Sequence, residues 1–541
     1  MKPAIEQSFT SDRHVWLAAS IFFFTCLLLQ VWRMQSLTSS MDQGILYQIL
    51  WNGLQGHPFE STLSSQLSSN VVHTGDIPTV GYHRLGQHFT PILIIWLPLI
   101  SLMGKWALPI LQVALITLSG LFLYQLAKLH LKKKVASMIT FSYLGANAVI
   151  GPCLGNFTDL AQLPLTVFAL IIGIETRNKW LILIPALAIP LIREDTGVVL
   201  MGIGLWVILR QRKNLLLGSL LLFYGGAWVL IATNLLMPIF SDDTSKRFMV
   251  ENFGQYLQGK NEANSLEVIK LALQQPLVII KEIVTPPGQT LRYLLGQFLP
   301  LMFIPLISLD SWVIMGLPLL GLLMAQGNPL AINWRYTYLV VPGIFSGSIY
   351  WWKNNPNITL NSRLKSIWVG CILLSLIFTL TSNPNRTISW LMPESINPWV
   401  YHSPFKQWKH SRIALKSIQQ IPPNASVSAS STLVPHLASR EALIRFPYHI
   451  RYKNRQGETA YVDWVVADIY HHQKYASSFK NEWKDLQEII QVLQNMEGKY
   501  SPVFTEDGIV LFQLNGKNNP KVSSNYKKLL EKISSITPPK P

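Results

Sequence analysis

Long apolar runs separated by short polar intervals fill the first 380 positions of the chain. They lie at 15–32, 107–131, 135–151, 159–175, 180–192, 197–209, 215–239, 291–309, 311–325, 336–352 and 364–380. A run of about 20 apolar residues is what a helix needs to cross a hydrocarbon core of roughly 30 Å. The pattern predicts a polytopic α-helical membrane protein with eleven crossings, or twelve if the short segment 89–104 also crosses. That segment holds Pro91 and Pro98 and reads as a dip into the membrane or an interfacial stretch.

Charge places the loops. Lys132–Lys134, Arg177–Lys179, Arg210–Lys213 and Lys353 fall between runs at positions that one side of the membrane shares if 89–104 does not cross. The excess of Lys and Arg on cytoplasmic loops makes that side the inside. The first run, preceded by Lys2 and Arg13, is then an anchor and not a cleaved signal, with its N-terminus cytoplasmic. Loops 33–88 and 240–290 fall outside, with residues 1–385 as the membrane domain. In the first loop, Asp42 to Gly53 reads as an interfacial helix, with Ile45, Ile49 and Trp51 on the bilayer and Asp42 toward water. In the second, 266–273 reads as a short helix and 281–289 as a turn, and such a loop suits a lid.

From about 390 the period changes. Apolar runs shorten to strand length at 425–429, 442–446 and 461–467, and Asp507-Gly508 between two strands signals a hairpin. Helices are expected at 410–420 and 481–496. Residues 390–515 therefore read as a small extracytoplasmic α/β domain, and 516–541 as a Lys/Ser/Pro-rich tail with a helix at 524–534.

Composition agrees: 49% of the residues are hydrophobic and 13% charged, against about 25% charged in soluble proteins. The net charge of +17 is what cytoplasmic loop lysines and arginines supply, and it does not imply a nucleic-acid partner. Cys26, Cys153 and Cys371 have no metal-type spacing. His471-His472 reads as a surface pair without a third ligand, so no cofactor is expected, and a divalent metal stays open.

Candidate chemistry concentrates in a few polar positions. Asp42 stands just beyond the first crossing, as a helix cap or as an acid–base group. Arg84 and His88 bring positive charge back toward the membrane. Arg193, Glu194 and Asp195 join two undersized crossings, where charges must pair or face a cavity. Asp159 reads chiefly as a cap for the following helix. Arg335, followed by Tyr336, suits a phosphate or snorkels to headgroups.

The order of these pieces resembles a family of bacterial and archaeal membrane proteins, DUF2079. The resemblance is carried by Met41-Asp42-Gln43-Gly44-Ile45 to Trp51, His88-Phe89-Thr90-Pro91, Arg193-Glu194-Asp195, and Ile421-Pro422-Pro423-Asn424 to Pro435-His436-Leu437. That family in turn looks like the GT-C glycosyltransferases. The resemblance implies a GT-C-like bundle in the plasma or inner membrane and a polyprenyl-phosphate-linked sugar donor. It implies an envelope glycan, lipid or protein as acceptor, with Asp42 as the general base. Arg84, His88, Arg193, Glu194, Asp195, Arg335 and Tyr336 become candidate donor-binding residues. Asp42 stands without the second adjacent acid of the commonest GT-C pattern, so metal dependence is not implied. A noncatalytic scaffold for envelope assembly and a lipid or solute transporter are the alternatives.

Overall fold

The computed structural model describes residues 12–211, 214–327 and 329–539. Lys2, Arg212 and Lys213, used above for topology, lie outside these residues. The chain divides into two compact units. A helical unit comprises Met1–Gln30, Leu85–Ile95 and Leu108–Asn385, and a sheet unit comprises Val31–Arg84, Trp96–Ala107 and Arg386–Pro541.

Among the described residues, five helices are long and apolar enough to cross a membrane: Arg13–Gln35, Pro91–Lys128, Asp159–Thr176, Leu215–Ile239 and Ser362–Ser382. Lys133–Leu144 and Asn147–Cys153, bent by 45° at their junction, make a sixth if they act as one span. The bend is held where the Asn147 backbone N–H donates to Ser375 Oγ instead of to a preceding turn. The chain is thus a multi-pass membrane protein. Segment 89–104 is a run of short helical pieces leading into Ala107–Lys128.

The remaining expected crossings are shorter or broken. Lys179–Ile192, Gly197–Arg210 and Val341–Asn354 have 14 residues each and Leu309–Met324 has 16. At about 1.5 Å per residue they reach ~21–24 Å, less than a bilayer core. Segment 291–309 is not one helix. Pro287–Phe298 ends, Met302 and Phe303 take left-handed φ of 53° and 58°, and Ile304–Ile307 follows. Pro300 and Pro305 remove the donors a continuous helix would need. Residues 281–289, expected as a turn, instead close the helix Pro276–Val284 and open Pro287–Phe298. Pro276 and Pro287 sit at helix starts, where a missing N–H costs nothing.

Glu175 gathers four chain segments at one end of the helical unit. It accepts from Tyr350 Oη and Gln211 Nε2, both at 2.9 Å, and lies 3.1 Å from His130 Nε2 and 4.0 Å from Lys353 Nζ. The loop positions that the charge pattern assigned to one side therefore converge.

The sheet unit holds a five-stranded sheet in the order β2-β1-β5-β7-β6, built from β1 (Val427–Ser430), β2 (Leu443–Phe446), β5 (Trp464–Asp468), β6 (Tyr500–Glu506) and β7 (Ile509–Leu514). β3 (Arg451–Lys453) and β4 (Thr459–Tyr461) form a separate ribbon. β1 lies parallel to β2 and β5, while β7 runs antiparallel to β5 and β6. Asp507 and Gly508, at φ of 49° and 81°, make the hairpin turn, both central residues having the positive φ that matches strand twist. Alternate strand residues, including Val465, Ala467, Val510 and Phe512, meet Leu486, Ile489 and Leu493 of helix Lys480–Asn495. Tyr526 and Ile533 of Pro520–Ser534 join the same core, so that part of the expected tail is an integral helix.

The first loop belongs to this unit and corrects one expectation. The helix Met41–Leu54 does not lie on the bilayer by an apolar face: Gln43, Gln48 and Asn52 are buried along with Ile45, Leu46 and Ile49. Gln48 Nε2 donates to the Arg440 carbonyl at 2.9 Å, and its Oε1 accepts from Ser61 Oγ at 2.6 Å. A Cβ on Gly44 would stand 2.4 Å from Val434 Cγ1, so the helix packs this closely only because residue 44 is glycine. Buried amides that find partners are retained at little cost, whereas the same groups facing lipid would be unsatisfied.

Candidate functional site

The helical unit contains a cavity of about 540 Å³ with one charged end and largely apolar walls. The charged end is assembled from three separate stretches. His88 comes from the segment leading to Pro91, Arg193–Asp195 from the turn between the two 14-residue helices, and Arg335 and Tyr336 from the 3-10 turn Arg335–Leu339. Helices this short leave their connecting turn below the bilayer surface, so charges there need internal partners.

Those partners are present. Arg193, 2% exposed, donates its Nε to Asp195 Oδ1 at 2.7 Å and its second nitrogen to Asp195 Oδ2, a planar fork on one carboxylate. Its guanidinium lies 5.2 Å from the centre of the Tyr336 ring, and Arg335 lies 5.6 Å from the same ring. Glu194 bridges His88 Nδ1 and the Phe89 backbone N–H, each at 2.9 Å. Asp195, unlike Arg193, is 40% exposed at its side chain, so this pair has one buried and one accessible member. Six of the residues singled out from the sequence thus line a single cavity.

The walls are Val198, Val229, Met237, Phe248, Leu322 and their neighbours. One wall comes from the second loop, where helix Ser265–Leu273 contributes Val268, Ile269 and Ala272. Further along this loop Leu273, Leu277 and Ile280 are exposed, as helices lying in a membrane interface would have them. Sequence reasoning did not single out Gln87, which donates to Asp243 Oδ2 at 3.2 Å, or Gly86, where a Cβ would meet the Ser241 backbone nitrogen at 2.7 Å. Neither carries a local signal, because both depend on a partner in a distant loop.

Asp42 and Arg84 belong to the sheet unit. Asp42 occupies the first turn of Met41–Leu54, half-buried, within the electrostatic reach of buried Arg33. Arg84 is buried, and one of its guanidinium nitrogens lies 3.4 Å from Ser64 Oγ. Two residues four apart in the sequence, Arg84 and His88, therefore fall in different units. The expected cap shifts by one residue: Thr158 caps the turn Asp159–Gln162, its hydroxyl accepting from the Leu160 N–H at 3.3 Å, and Asp159, the first residue of the turn, accepts from the same N–H at 2.8 Å.

The sheet unit has polar clusters of its own. His410 lies between Asp468, 3.3 Å from its Nε2, and Asp507, 3.2 Å from its Nδ1, and its ring stacks on Tyr470 at 3.9 Å. Burial alone would push the His410 pKa down, but the two carboxylates outweigh it and hold it above the usual imidazole value. His402 and His471 go the other way. Burial, then neighbouring positive groups, lowers His402 to about 4, and burial lowers His471 to about 4 despite Asp468. His472 stands near two acids: its ring, Glu482 and Asp485 place one donor atom each within 4.8 Å of one another. The acids are three apart on one helix face, a spacing the sequence displayed. Arg386, 3.9 Å from Glu482, already brings a cation to this group.

Comparison with curated proteins returns no match. Over residues 33–511, nearly the whole of both units, the chain matches the family described as "Predicted membrane protein (DUF2079)", and it belongs to that family.

Proposed function

We propose that the helical unit binds a lipid-linked phosphate and that the protein transfers a sugar from such a polyprenyl-phosphate donor to an acceptor outside the cytoplasm. The observation that carries this reading is the two-part character of the cavity: guanidinium, imidazole and carboxylate groups at one end, apolar walls along the rest. A phosphate suits the forked donors of arginine, and an isoprenoid chain suits walls of Val, Leu, Met and Phe. The exposed apolar faces of the second loop supply a lipid-facing surface from which such a molecule enters.

Sugar transfer with inversion needs a base for the acceptor hydroxyl and positive charge for the departing phosphate. The family resemblance assigns the first role to Asp42. Arg193, Arg335 and His88 are the groups of the cavity suited to the second. In this reading the N-terminus is cytoplasmic, the C-terminal domain is extracytoplasmic, and the short helices complete a GT-C-like bundle.

Purified protein in lipid nanodiscs, titrated with polyprenyl phosphate, tests the binding step. Arg335→Ala should weaken binding by about tenfold or more, the worth of a charge-assisted hydrogen bond of ~1.5–3 kcal/mol. Unchanged affinity in this variant, or no binding by the unmodified protein, sinks the assignment.

A further inference from the structure

The stretch that follows the last long apolar helix is unusually apolar for a surface. It opens the C-terminal part of the sheet unit. Glu394 and Val400 close a tight loop, with the Glu394 N–H donating to the Val400 carbonyl at 2.9 Å and the Val400 N–H to the Ser395 carbonyl at 3.0 Å. At its tip Ile396 is 79% exposed and Trp399 67%. The helix Pro404–Ile418 begins next, and its first turn presents Phe405, 84% exposed, with Trp408 one turn on. Its opposite face is polar but buried, through Gln407, His410 and Ser411. The first two turns of this helix therefore hold Phe405 and Trp408 outward, beside exposed Lys406 and Lys409, while Gln407 and His410 point inward.

Within the same unit, the end of the first membrane-crossing helix fixes the level of this face. Trp32 lies near the end of Arg13–Gln35, and its ring stacks on Trp408 at 6.3 Å and 13°. Gln407 Nε2 donates to the Ser36 carbonyl at 3.2 Å. The apolar run of that span stops at Trp32, and a tryptophan at the end of such a run marks the edge of a hydrocarbon core. Trp408 is therefore at the depth of the headgroups. Lys406, Lys409 and Arg412 are exposed on the same helix.

We infer that the tip loop 394–400 and the start of Pro404–Ile418 form a membrane-seating face, which inserts into the interfacial layer of the bilayer the chain spans and favours anionic headgroups. The apolar rings enter the headgroup layer, and the basic side chains meet lipid phosphates. The inference rests on the chain's crossing of the membrane and not on sugar transfer.

Spin labels on the full-length protein in vesicles test it, with Cys371→Ser to remove the half-buried native thiol. Labels at Trp399→Cys and Phe405→Cys should collide with lipid-dissolved oxygen several-fold more often than with an aqueous nickel complex. A label at Lys521→Cys, on an exposed position of Pro520–Ser534, should show the opposite ratio. Adding phosphatidylglycerol to phosphatidylcholine vesicles should deepen the first two labels, and Lys406→Gln with Lys409→Gln and Arg412→Gln should abolish that response. Nickel accessibility at 399 and 405 equal to that at 521 overturns the proposal. So does shielding from both reagents, which marks a second copy or another protein as the cover. If the cysteine variants do not fold, photoactivatable phosphatidylglycerol applied to the unmodified protein decides. Adducts within 390–408 and none on 520–534 support the face, and their absence from 390–408 ends it.

Discussion

Two histidine–carboxylate arrangements, one in each unit, look alike in composition and differ in what they leave open. In the sheet unit His410 has a carboxylate on each ring nitrogen, and Asp468 is held in turn by the Thr432 hydroxyl at 3.0 Å and the Tyr470 N–H at 3.1 Å. Both His410 and Asp468 have side chains 1% exposed. Asp507, at the turn, is 36% exposed, and the group fastens the helix Pro404–Ile418 to the end of β5 and the β6–β7 turn. In the helical unit, His88 and Glu194 remain 22% and 14% exposed, and Asp195 is open to the cavity. The same residue types there form the rim of a space. Charged groups closed on one another specify structure, whereas charged groups that balance and still face a cavity are available for a ligand.

The largest expected effect concerns chemistry. Asp42→Asn should lower sugar transfer by a factor of about 10² to 10⁴, the usual worth of a positioned acid–base group. Thermal unfolding should hardly move, since asparagine keeps the size of the side chain. Full activity in this variant removes Asp42 as the base.

The closed cluster should respond in stability instead. Asp468→Asn takes one partner from a buried charged pair, and denaturation in detergent should register a loss of about 3–5 kcal/mol. Polyprenyl phosphate affinity should be unchanged. A shift below 1 kcal/mol would show that His410 is held by packing on Tyr470 and not by its carboxylates.

The pH dependence follows from opposite shifts within one cluster. His410 faces Asp468, Asp507 and Tyr470, while His402 and His471 face one another, Glu394, Arg386 and Tyr475, with Lys474 beside His402. His410 has a raised pKa in the folded state. Its contribution is complete below the free-imidazole value, about 6.5, and is lost as pH rises through the folded value. His402 and His471 have lowered values, so their neutral forms favour folding, and that contribution is lost as pH falls from about 6.5 toward about 4. Melting temperature against pH should show a maximum with a decline on both sides. His410→Gln should flatten the alkaline decline.

A smaller effect probes the open arrangement. Arg193→Lys keeps the charge but cannot present a fork to Asp195, and an ammonium stacks less well on Tyr336. Folding should lose about 1.5–3 kcal/mol, one charged hydrogen bond, and the cavity should bind phosphate more weakly. Equal stability and binding would show that only the charge matters there.

How legible all this was in the sequence depends on the range of the forces involved. The hairpin at Asp507-Gly508 was readable because two adjacent residues set its geometry. The strands β1, β2 and β5 and the helix Lys480–Asn495 followed from period and local propensity. The charged turn Arg193–Asp195 stood out because two helices too short for a bilayer flank it. What failed was environment. Met41–Leu54 was recognisable as a helix, but its burial depends on Arg440 and Val434, and no nearby residue announces them. The separation of Arg84 from His88 was equally hidden, since sequence adjacency said nothing of the unit each would join. Of the eleven expected crossings, five helices among the described residues are long and apolar enough to span, or six with the bent pair, because apolar runs of 13 to 19 residues look alike until proline and left-handed φ break one of them.

The hydrogen bond from Gln48 to the Arg440 carbonyl joins residues 392 positions apart. A ribosome adds about 5–20 residues per second, so roughly 20–80 s pass between the emergence of the two partners. Throughout that interval the newly made helix Met41–Leu54 has Ser61 and Leu63 beside it, but the Gln48 amide nitrogen lacks the Arg440 carbonyl and Gly44 lacks its Val434 contact. A segment made late thus completes the fold of one made much earlier. Biogenesis of this protein therefore includes a waiting period during which an early segment must be kept from aggregating, and truncation anywhere before Val434 strands it permanently.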